Sequence, residues 1–265
     1  MSLLQLYLVD ALVVLGFMII LWVVSLALRN SSIVDIFWGS GFVVIAWVAC
    51  FLTPAGFTCR KLLLCLLVTI WGLRLSLHIL RRNWGEPEDF RYQTWRNQAG
   101  GKWWWQSLFR VFLLQGLLMW IISAPLVAAQ ISGTPARLTF VDLLGALIWA
   151  IGFFFEAVGD WQLVRFKRDP GNKGKLLTGG VWKYSRHPNY FGDAAQWWGL
   201  YLIAAAAGGW WTIFSPVLMT TLLVRVSGVA LLEKTLKETK PGYRDYVETT
   251  SAFVPWFPRK SGTTK

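Results

Sequence analysis

Three long stretches without a charged side chain constrain this protein more than any other feature of its sequence. Residues 36–59, 111–136 and 194–224 form uncharged runs of 24, 26 and 31 residues. Apolar runs of about 18 residues or more are typical of membrane spans. Because 55% of the residues are hydrophobic and only 15% are charged, a disordered chain and an ordinary soluble domain are both excluded. The sequence therefore predicts an integral membrane protein.

The apolar runs predict about seven transmembrane helices in an all-α polytopic fold, with residues 1–265 forming a single membrane domain. These helices are expected near residues 7–28, 33–53, 61–80, 108–130, 139–164, 194–208 and 210–230. The last run is divided because a single helix through it would be about 47 Å long, whereas the bilayer core is about 30 Å thick. The Gly208-Gly209 pair near its middle offers a turn.

The basic residues predict the orientation of these helices. With the N-terminus outside and the C-terminus in the cytosol, 22 of the 26 Lys and Arg residues lie in cytosolic segments. Such an excess is typical of the cytoplasmic side of membrane proteins. Topology and anionic lipid headgroups therefore explain the net charge of +12, and we expect no nucleic-acid partner. No obligate protein partner is evident.

Two predicted cytosolic stretches, residues 81–107 and 165–193, are longer than a connection requires. The second belongs to the densest polar cluster of the sequence, which extends from Asp160 to Asp193. A positively charged loop with turn residues would account for its composition. Cations, carboxylates and amides in one place could instead hold the phosphates, the ribose and the carboxamide of a dinucleotide.

Two motifs in this cluster resemble a known superfamily. They are Leu177-Thr178-Gly179-Gly180 and the run from Arg186 to Asp193, which reads Arg-His-Pro-Asn-Tyr-Phe-Gly-Asp. Both resemble the cofactor signature of the sterol C14-reductases and of the wider steroid 5α-reductase superfamily. The segments 88–92 and 250–256 resemble its bacterial branch. Isoprenylcysteine carboxyl methyltransferases share the Arg-His-Pro part, so the motif alone leaves the reaction open.

The resemblance implies a membrane reductase that binds NADPH from the cytosol and passes hydride to a conjugated alkene in a steroid-like or isoprenoid lipid. Residues 1–130 would form the substrate side and residues 131–265 the NADPH-binding part. The bacterial cytoplasmic membrane is the implied location. Carried over by position, the cofactor-binding residues would be Asp160, Arg165, Lys167, Arg168, Tyr184, Arg186, His187, Asn189, Tyr190, Asp193, Arg225 and Glu233. Glu233 stands where the steroid reductases have a tyrosine.

The resemblance also indicates catalytic candidates. Hydride addition to an enone builds negative charge on the carbonyl oxygen, so a hydrogen-bond donor must face the substrate. Asp35 stands where the steroid reductases use a glutamate, although it could equally cap a helix. Trp71 stands where they use a tyrosine, and an indole N–H is not a practical proton source. Tyr92, in the adjacent loop, could replace the missing acid.

Two other functions remain open from the sequence. An S-adenosylmethionine-dependent methyltransferase is favoured by the shared Arg-His-Pro, by Glu233 and by Tyr243 and Tyr246. A non-catalytic lipid-binding or assembly factor would use its cationic loops only against headgroups. No metal site is expected, because His187 has no second histidine near it in the sequence.

Overall fold

The computed structural model describes residues 1–226, 229, 233, 236 and 238–259, and all regular structure in these residues is helical. The predicted all-α class is therefore confirmed for this part of the chain. The chain divides into two compact units, which comprise residues 1–143 with 201–215 and residues 144–200 with 216–265. A single functional domain with a division near residue 130 stays a prediction.

The first unit is built from eight helices of very different length. They are α1 Leu3–Leu28, α2 Ile33–Ile36, α3 Trp38–Leu52, α4 Thr58–Asn83, α5 Phe90–Ala99, α6 Trp103–Ser107, α7 Leu114–Ile122 and α8 Ala124–Ile131. A capping box starts α1, because the Ser2 hydroxyl accepts a hydrogen bond from the Gln5 amide and the Gln5 side chain accepts one from the Ser2 amide. Tighter and wider helical turns join α5, α6 and α7 into a nearly continuous helical segment.

Four further α-helices follow in the described part of the chain: α9 Phe140–Arg168, α10 Pro188–Ala206, α11 Phe214–Thr221 and α12 Tyr243–Thr249. The predicted division of the long apolar run is confirmed. Helix α10 ends at Ala206, and Gly208 has a φ of +89°, a left-handed conformation that glycine adopts without a Cβ clash. The Gly209 amide then donates to the Ala204 carbonyl, which closes the helix end.

Four helical segments of the described chain are long and apolar enough to cross a membrane. They are Leu3–Leu28, Thr58–Asn83, Phe90–Ile131 and Phe140–Arg168, and two shorter apolar helices span Trp38–Leu52 and Trp210–Val226. Leu4, Leu8 and Leu12 on α1 are 66%, 52% and 69% exposed, as expected for side chains that contact lipid. The protein is therefore membrane-embedded, whereas seven spans and their orientation stay predictions.

Small residues let α3 and α4 pack with their backbones in contact. A Cβ on Gly39 would collide with the Gly72 backbone, and a Cβ on Gly72 would collide with Gly39. Close to this contact, the hydroxyls of Ser40 and Ser76 are 2.8 Å apart. In lipid there is no hydrophobic driving force for apolar helices to associate. Close backbone packing and hydrogen bonds of this kind stabilise helix pairs in membranes instead.

A longer seam of glycines joins α9 to α10 in the second unit. Gly145, Gly152 and Gly159 are spaced seven apart on α9, and Gly192 and Gly199 have the same spacing on α10. A Cβ on Gly199 would lie 2.5 Å from the Gly145 carbonyl oxygen, and a Cβ on Gly152 would lie 2.5 Å from that of Gly192. The period of seven keeps these residues on one face, so the two backbones stay close along the seam.

Candidate functional site

The loop between α9 and α10 is held by the segment that follows α12. The Arg186 amide donates to the Ser251 carbonyl at 2.9 Å, and the Trp256 amide donates to the Tyr184 carbonyl at 2.9 Å. The Ser185 hydroxyl adds a hydrogen bond of 2.8 Å to the Phe253 carbonyl. The two motifs that the sequence places about 65 residues apart are therefore one structure, which we call the loop–tail clamp (residues 182–187 and 250–256).

Arg186 is the centre of this clamp. Its guanidinium donates to Glu233 at 2.6 Å and 2.8 Å and to the Val247 carbonyl at 3.1 Å, and it also donates to the Thr250 carbonyl. The side chain is 6% exposed, and that of Glu233 is 14% exposed. An ion pair this well buried needs additional hydrogen bonds of this kind to offset the loss of water. Arg186 therefore links Glu233 to the C-terminal end of α12 and to Thr250, which follows it.

Histidine 187 lies against the same ion pair. Its Nε2 is 3.5 Å from Glu233, and its ring stacks on that of Tyr190 with the centroids 5.7 Å apart. Burial lowers the pKa of His187 to about 4, with a further contribution from the Arg186 charge, although Glu233 opposes both. The imidazole is therefore neutral at physiological pH.

A cavity of about 490 Å³ lies beside the clamp, within the second unit. It is lined by one carboxylate, that of Asp169, by the five cationic residues Lys167, Lys173, Lys175, Arg186 and Lys240, and by the aromatic residues Phe166, Trp182, Tyr243 and Tyr246. Four leucines, Pro170, Asn172 and Gly174 complete the wall. Burial raises the pKa of Tyr243 to about 12, and the nearby charge of Glu233 adds to this effect, so its hydroxyl keeps its proton. The cavity thus combines positive charge with planar and apolar contacts.

Two of the predicted cofactor residues, Lys167 and Arg186, line this cavity. Two others bind each other, since the Asn189 amide donates to Asp160 at 3.0 Å. Asp193 is buried on α10, and Arg165 lies over the Trp161 ring at 5.6 Å. Among the other predicted cofactor residues, three have solvent-exposed side chains: Arg168, Tyr184 and Arg225. The cofactor roles of all these residues stay predictions.

The first unit contains a separate polar centre formed by Asp35, Tyr92 and Gln115. The Tyr92 hydroxyl donates a hydrogen bond of 2.9 Å to Asp35, and the Gln115 amide donates one of 3.1 Å to the Tyr92 oxygen. The Arg91 guanidinium lies 3.2 Å from the second oxygen of Asp35. Tyr92 is 4% exposed. The two residues that the sequence analysis put forward as candidate acids are therefore in direct contact.

A network of ion pairs holds α5, and with it Tyr92, against α2. Glu88 accepts two hydrogen bonds of 2.8 Å from Arg96 and one of 2.6 Å from the Ser31 amide. The Asp89 amide donates to the Ser32 hydroxyl at 2.7 Å. Burial alone would raise the pKa of Glu88, but the hydrogen bonds from Arg96 and Ser31 hold it below its ordinary value. The network is therefore charged at neutral pH and fixes the position of α5.

Trp71 is buried beneath aromatic neighbours, with 1% of its surface exposed and its ring centroid 5.7 Å from that of Phe42. Sequence reasoning missed Gln115, although it is the first of only two amide side chains in the uncharged run of residues 111–136. A polar residue inside an apolar membrane segment marks a functional or paired position. No individual role was predicted from the sequence for Lys173, Lys175 and Lys240. No linear pattern shows that these three residues line one cavity.

Comparison with known proteins gives four findings. The chain is 27% identical over 274 residues to the "Uncharacterized protein C594.04c" of Schizosaccharomyces pombe, which covers 92% of this chain and 77% of the relative. A shorter match of 46 residues, 46% identical and covering 17% of this chain and 16% of the relative, is to the "Probable O-methyltransferase ustE" of Ustilaginoidea virens. No solved structure matches significantly. A family model matches residues 21–250, and the chain therefore belongs to the family described as "Protein of unknown function (DUF1295)".

Proposed function

We propose that this protein is an NADPH-dependent membrane reductase that acts on a conjugated carbon–carbon double bond in a steroid-like or isoprenoid lipid. The observation that carries the proposal is the charge of the 490 Å³ cavity, where five cationic side chains face one carboxylate. Glu233 neutralises Arg186, which leaves an excess of lysine charge. Such a lining favours a ligand with several phosphates.

The donor set of the cavity fits a dinucleotide phosphate. Lys173 and Lys175 lie on the loop after α9, and Lys240 lies just before α12, so ammonium groups reach the cavity from two segments. Trp182, Tyr243 and Tyr246 supply flat apolar surfaces for aromatic rings. The volume lies within the range of about 300–1,000 Å³ that is usual for ligand pockets.

The polar centre of the first unit supplies the acid that the reduction needs. Bound NADPH would supply a hydride to one alkene carbon, and a proton must then reach the neighbouring carbon through the substrate oxygen. The Tyr92 hydroxyl carries such a proton, and Gln115 donates to its oxygen, which would stabilise the anion left after proton transfer. Asp35 accepts the hydrogen bond of the phenol and would hold it in place until a substrate oxygen binds. Trp71 would contribute at most a hydrogen bond.

The proposal includes the topology and location that the sequence implies. The protein would cross the bacterial cytoplasmic membrane about seven times, with the cofactor cavity in the cytosol where NADPH is present. Four long apolar helices support a membrane location. The likeness of residues 177–193 to the steroid 5α-reductase superfamily supports the reaction class.

A second candidate is an S-adenosylmethionine-dependent methyltransferase. The short match to a relative named as a probable O-methyltransferase favours it. The excess of lysines in the cavity opposes it, because S-adenosylmethionine has no phosphate and carries a positive sulfur. The charge of the cavity therefore favours the reductase as the proposal to test first.

The test is a thermal-shift titration of the purified protein with NADPH, NADH and S-adenosylmethionine, since a ligand that binds the native state raises its melting temperature. The informative variant is Lys173→Glu/Lys175→Glu. Its matched control is Lys183→Glu, an exposed lysine of the same loop that does not line the cavity. We expect NADPH to bind, and the double variant to bind it at least about tenfold more weakly.

The control should bind NADPH like the native protein. Binding of S-adenosylmethionine that survives the double substitution would replace the reductase proposal with methyl transfer. If none of the three ligands raises the melting temperature, both enzymatic proposals are wrong.

A further inference from the structure

Three large apolar side chains are exposed at the end of the described chain. Val254, Trp256 and Phe257 are 56%, 70% and 77% exposed. They fall within four residues and are interrupted only by Pro255. Scattered apolar residues are ordinary on protein surfaces, but a contiguous patch of this kind marks an interaction site.

The loop–tail clamp explains why these side chains point outward. On the inner side of the segment, the Ser251 and Phe253 carbonyls and the Trp256 amide form the hydrogen bonds of the clamp. The Phe253 ring packs inward, 6.0 Å from that of Phe191. The segment is therefore fixed on one edge, and its exposed side chains are held on the other. The hydrogen bonds of the clamp therefore keep these three side chains exposed.

A groove of about 440 Å³ runs along this segment. Trp256, Phe257 and Arg259 form one part of it, and Val247–Thr250 at the end of α12 forms another. The Arg259 amide donates to the Thr249 carbonyl at 2.8 Å, which holds the base of that exposed side chain at the groove. Lys260 follows directly in the sequence. An apolar patch with a basic edge is thus presented next to the groove.

We propose that residues 254–259 form a docking surface for anionic phospholipid at the membrane interface. Aromatic side chains are enriched at this level of a bilayer, where basic side chains meet the phosphates. The chain is already embedded through its long apolar helices and has a net charge of +12, so anionic lipid is the complementary partner. The exposed face of α12 differs, because Arg244, Asp245 and Glu248 give it mixed charge.

The docking surface adjoins the candidate cofactor cavity through a single residue. Arg186 borders both the 440 Å³ groove and the 490 Å³ cavity, and its guanidinium donates to the Val247 and Thr250 carbonyls. Lipid bound to residues 254–259 would therefore hold one wall of the cavity. The docking proposal itself stands without any particular cofactor.

The test measures how deep this surface lies in a bilayer. Phe257→Cys and, as its matched control, Asp245→Cys would be made in a Cys59→Ser background, because Asp245 is exposed on α12 outside the groove and Cys59 is the exposed one of the three cysteines. Each would carry a nitroxide label in nanodiscs of phosphatidylcholine with or without phosphatidylglycerol. We expect the label at 257 to be accessible to oxygen and shielded from a water-soluble nickel chelate, and the label at 245 to show the reverse.

The anionic part of the proposal has its own variant. Adding phosphatidylglycerol should increase the shielding of the label at 257, and Arg259→Ala should reduce that increase by about fivefold. Equal exposure of both labels to nickel would overturn the proposal. So would shielding at 257 that appears in detergent and depends on protein concentration, since this would identify a second copy of the chain as the partner. Insensitivity to phosphatidylglycerol would exclude anionic lipid.

Discussion

The Tyr92 hydroxyl donates a hydrogen bond of 2.9 Å to Asp35, a residue 57 positions earlier in the chain. Gln115 completes the group from α7 by donating to the Tyr92 oxygen. The phenol therefore has a carboxylate to receive its hydrogen bond and an amide to support its oxygen. Because the single phenolic proton points to Asp35, a substrate oxygen would have to replace this carboxylate as its acceptor before Tyr92 could act as the proposed acid.

Removal of the Tyr92 hydroxyl should slow catalysis strongly and leave the cofactor cavity intact. We expect Tyr92→Phe to lower kcat by about 100-fold or more, because an acid in the transition state contributes about 10²–10⁴-fold. NADPH affinity should stay within error, since Tyr92 does not line the cavity. The measurement is NADPH oxidation with an enone lipid. Tyr7→Phe removes a hydroxyl bound to the Trp120 carbonyl and is the control; comparable losses in both variants would assign Tyr92 a structural role only.

The buried ion pair between Arg60 and Asp142 should be important for stability. Both side chains are fully buried, with Nε and Oδ1 2.7 Å apart, and Arg60 also donates to the Pro135 and Arg137 carbonyls. Arg60→Ala leaves an unpaired buried carboxylate, which should cost about 3–5 kcal/mol in the free energy of unfolding. The exposed Arg137→Ala should change it by less than about 0.5 kcal/mol. Denaturant or thermal unfolding in detergent compares the two, and equal stabilities would show that the pair contributes nothing.

A single additional carbon atom between α9 and α10 at the glycine seam should destabilise the protein. Gly192→Ala would place a Cβ against the Gly152 carbonyl and the Glu156 amide, so we expect a loss of about 1–3 kcal/mol. Gly16→Ala on α1 meets nothing within 4 Å and should instead stabilise its helix by up to about 1 kcal/mol. Melting temperatures of the two variants give the comparison. A Gly192→Ala protein as stable as the native one would show that α9 and α10 do not need this close approach.

Stability should fall as the pH decreases from about 6.5 to 4 because of His187. Its folded pKa of about 4 lies below the ordinary value of 6.5, so in this window the unfolded chain binds a proton that the folded chain does not. Acidification therefore favours unfolding, by up to about 3 kcal/mol over the whole window. Glu88 and Asp89, whose pKa values are lowered, begin to contribute only below about pH 5, at the acidic end of this window.

Substitution of the histidine checks this assignment. The variant His187→Gln cannot titrate and should flatten the slope of melting temperature against pH between 6.5 and 4. His78→Gln removes the other histidine of the chain and should leave the slope unchanged. If both variants keep the native slope, another group is responsible.

The sequence alone determined the class of the molecule and the positions of most helices. Runs of uncharged residues predict membrane helices because the cost of placing a side chain in lipid is local and adds along the run. The break at Gly208-Gly209 follows from local chemistry as well. The predicted helix bounds differ from those observed by only a few residues in most cases, for example 61–80 against Thr58–Asn83.

The contacts between polar side chains follow from tertiary packing. Asp35 and Tyr92 were separate candidates in the sequence, and the contact between them depends on how α5 packs against α2. Arg186 carried the predicted motif, but its guanidinium binds Glu233 and tail carbonyls 61 and 64 positions away. Such pairings reflect the balance between desolvation and hydrogen bonding in a packed interior, and no local pattern encodes that balance.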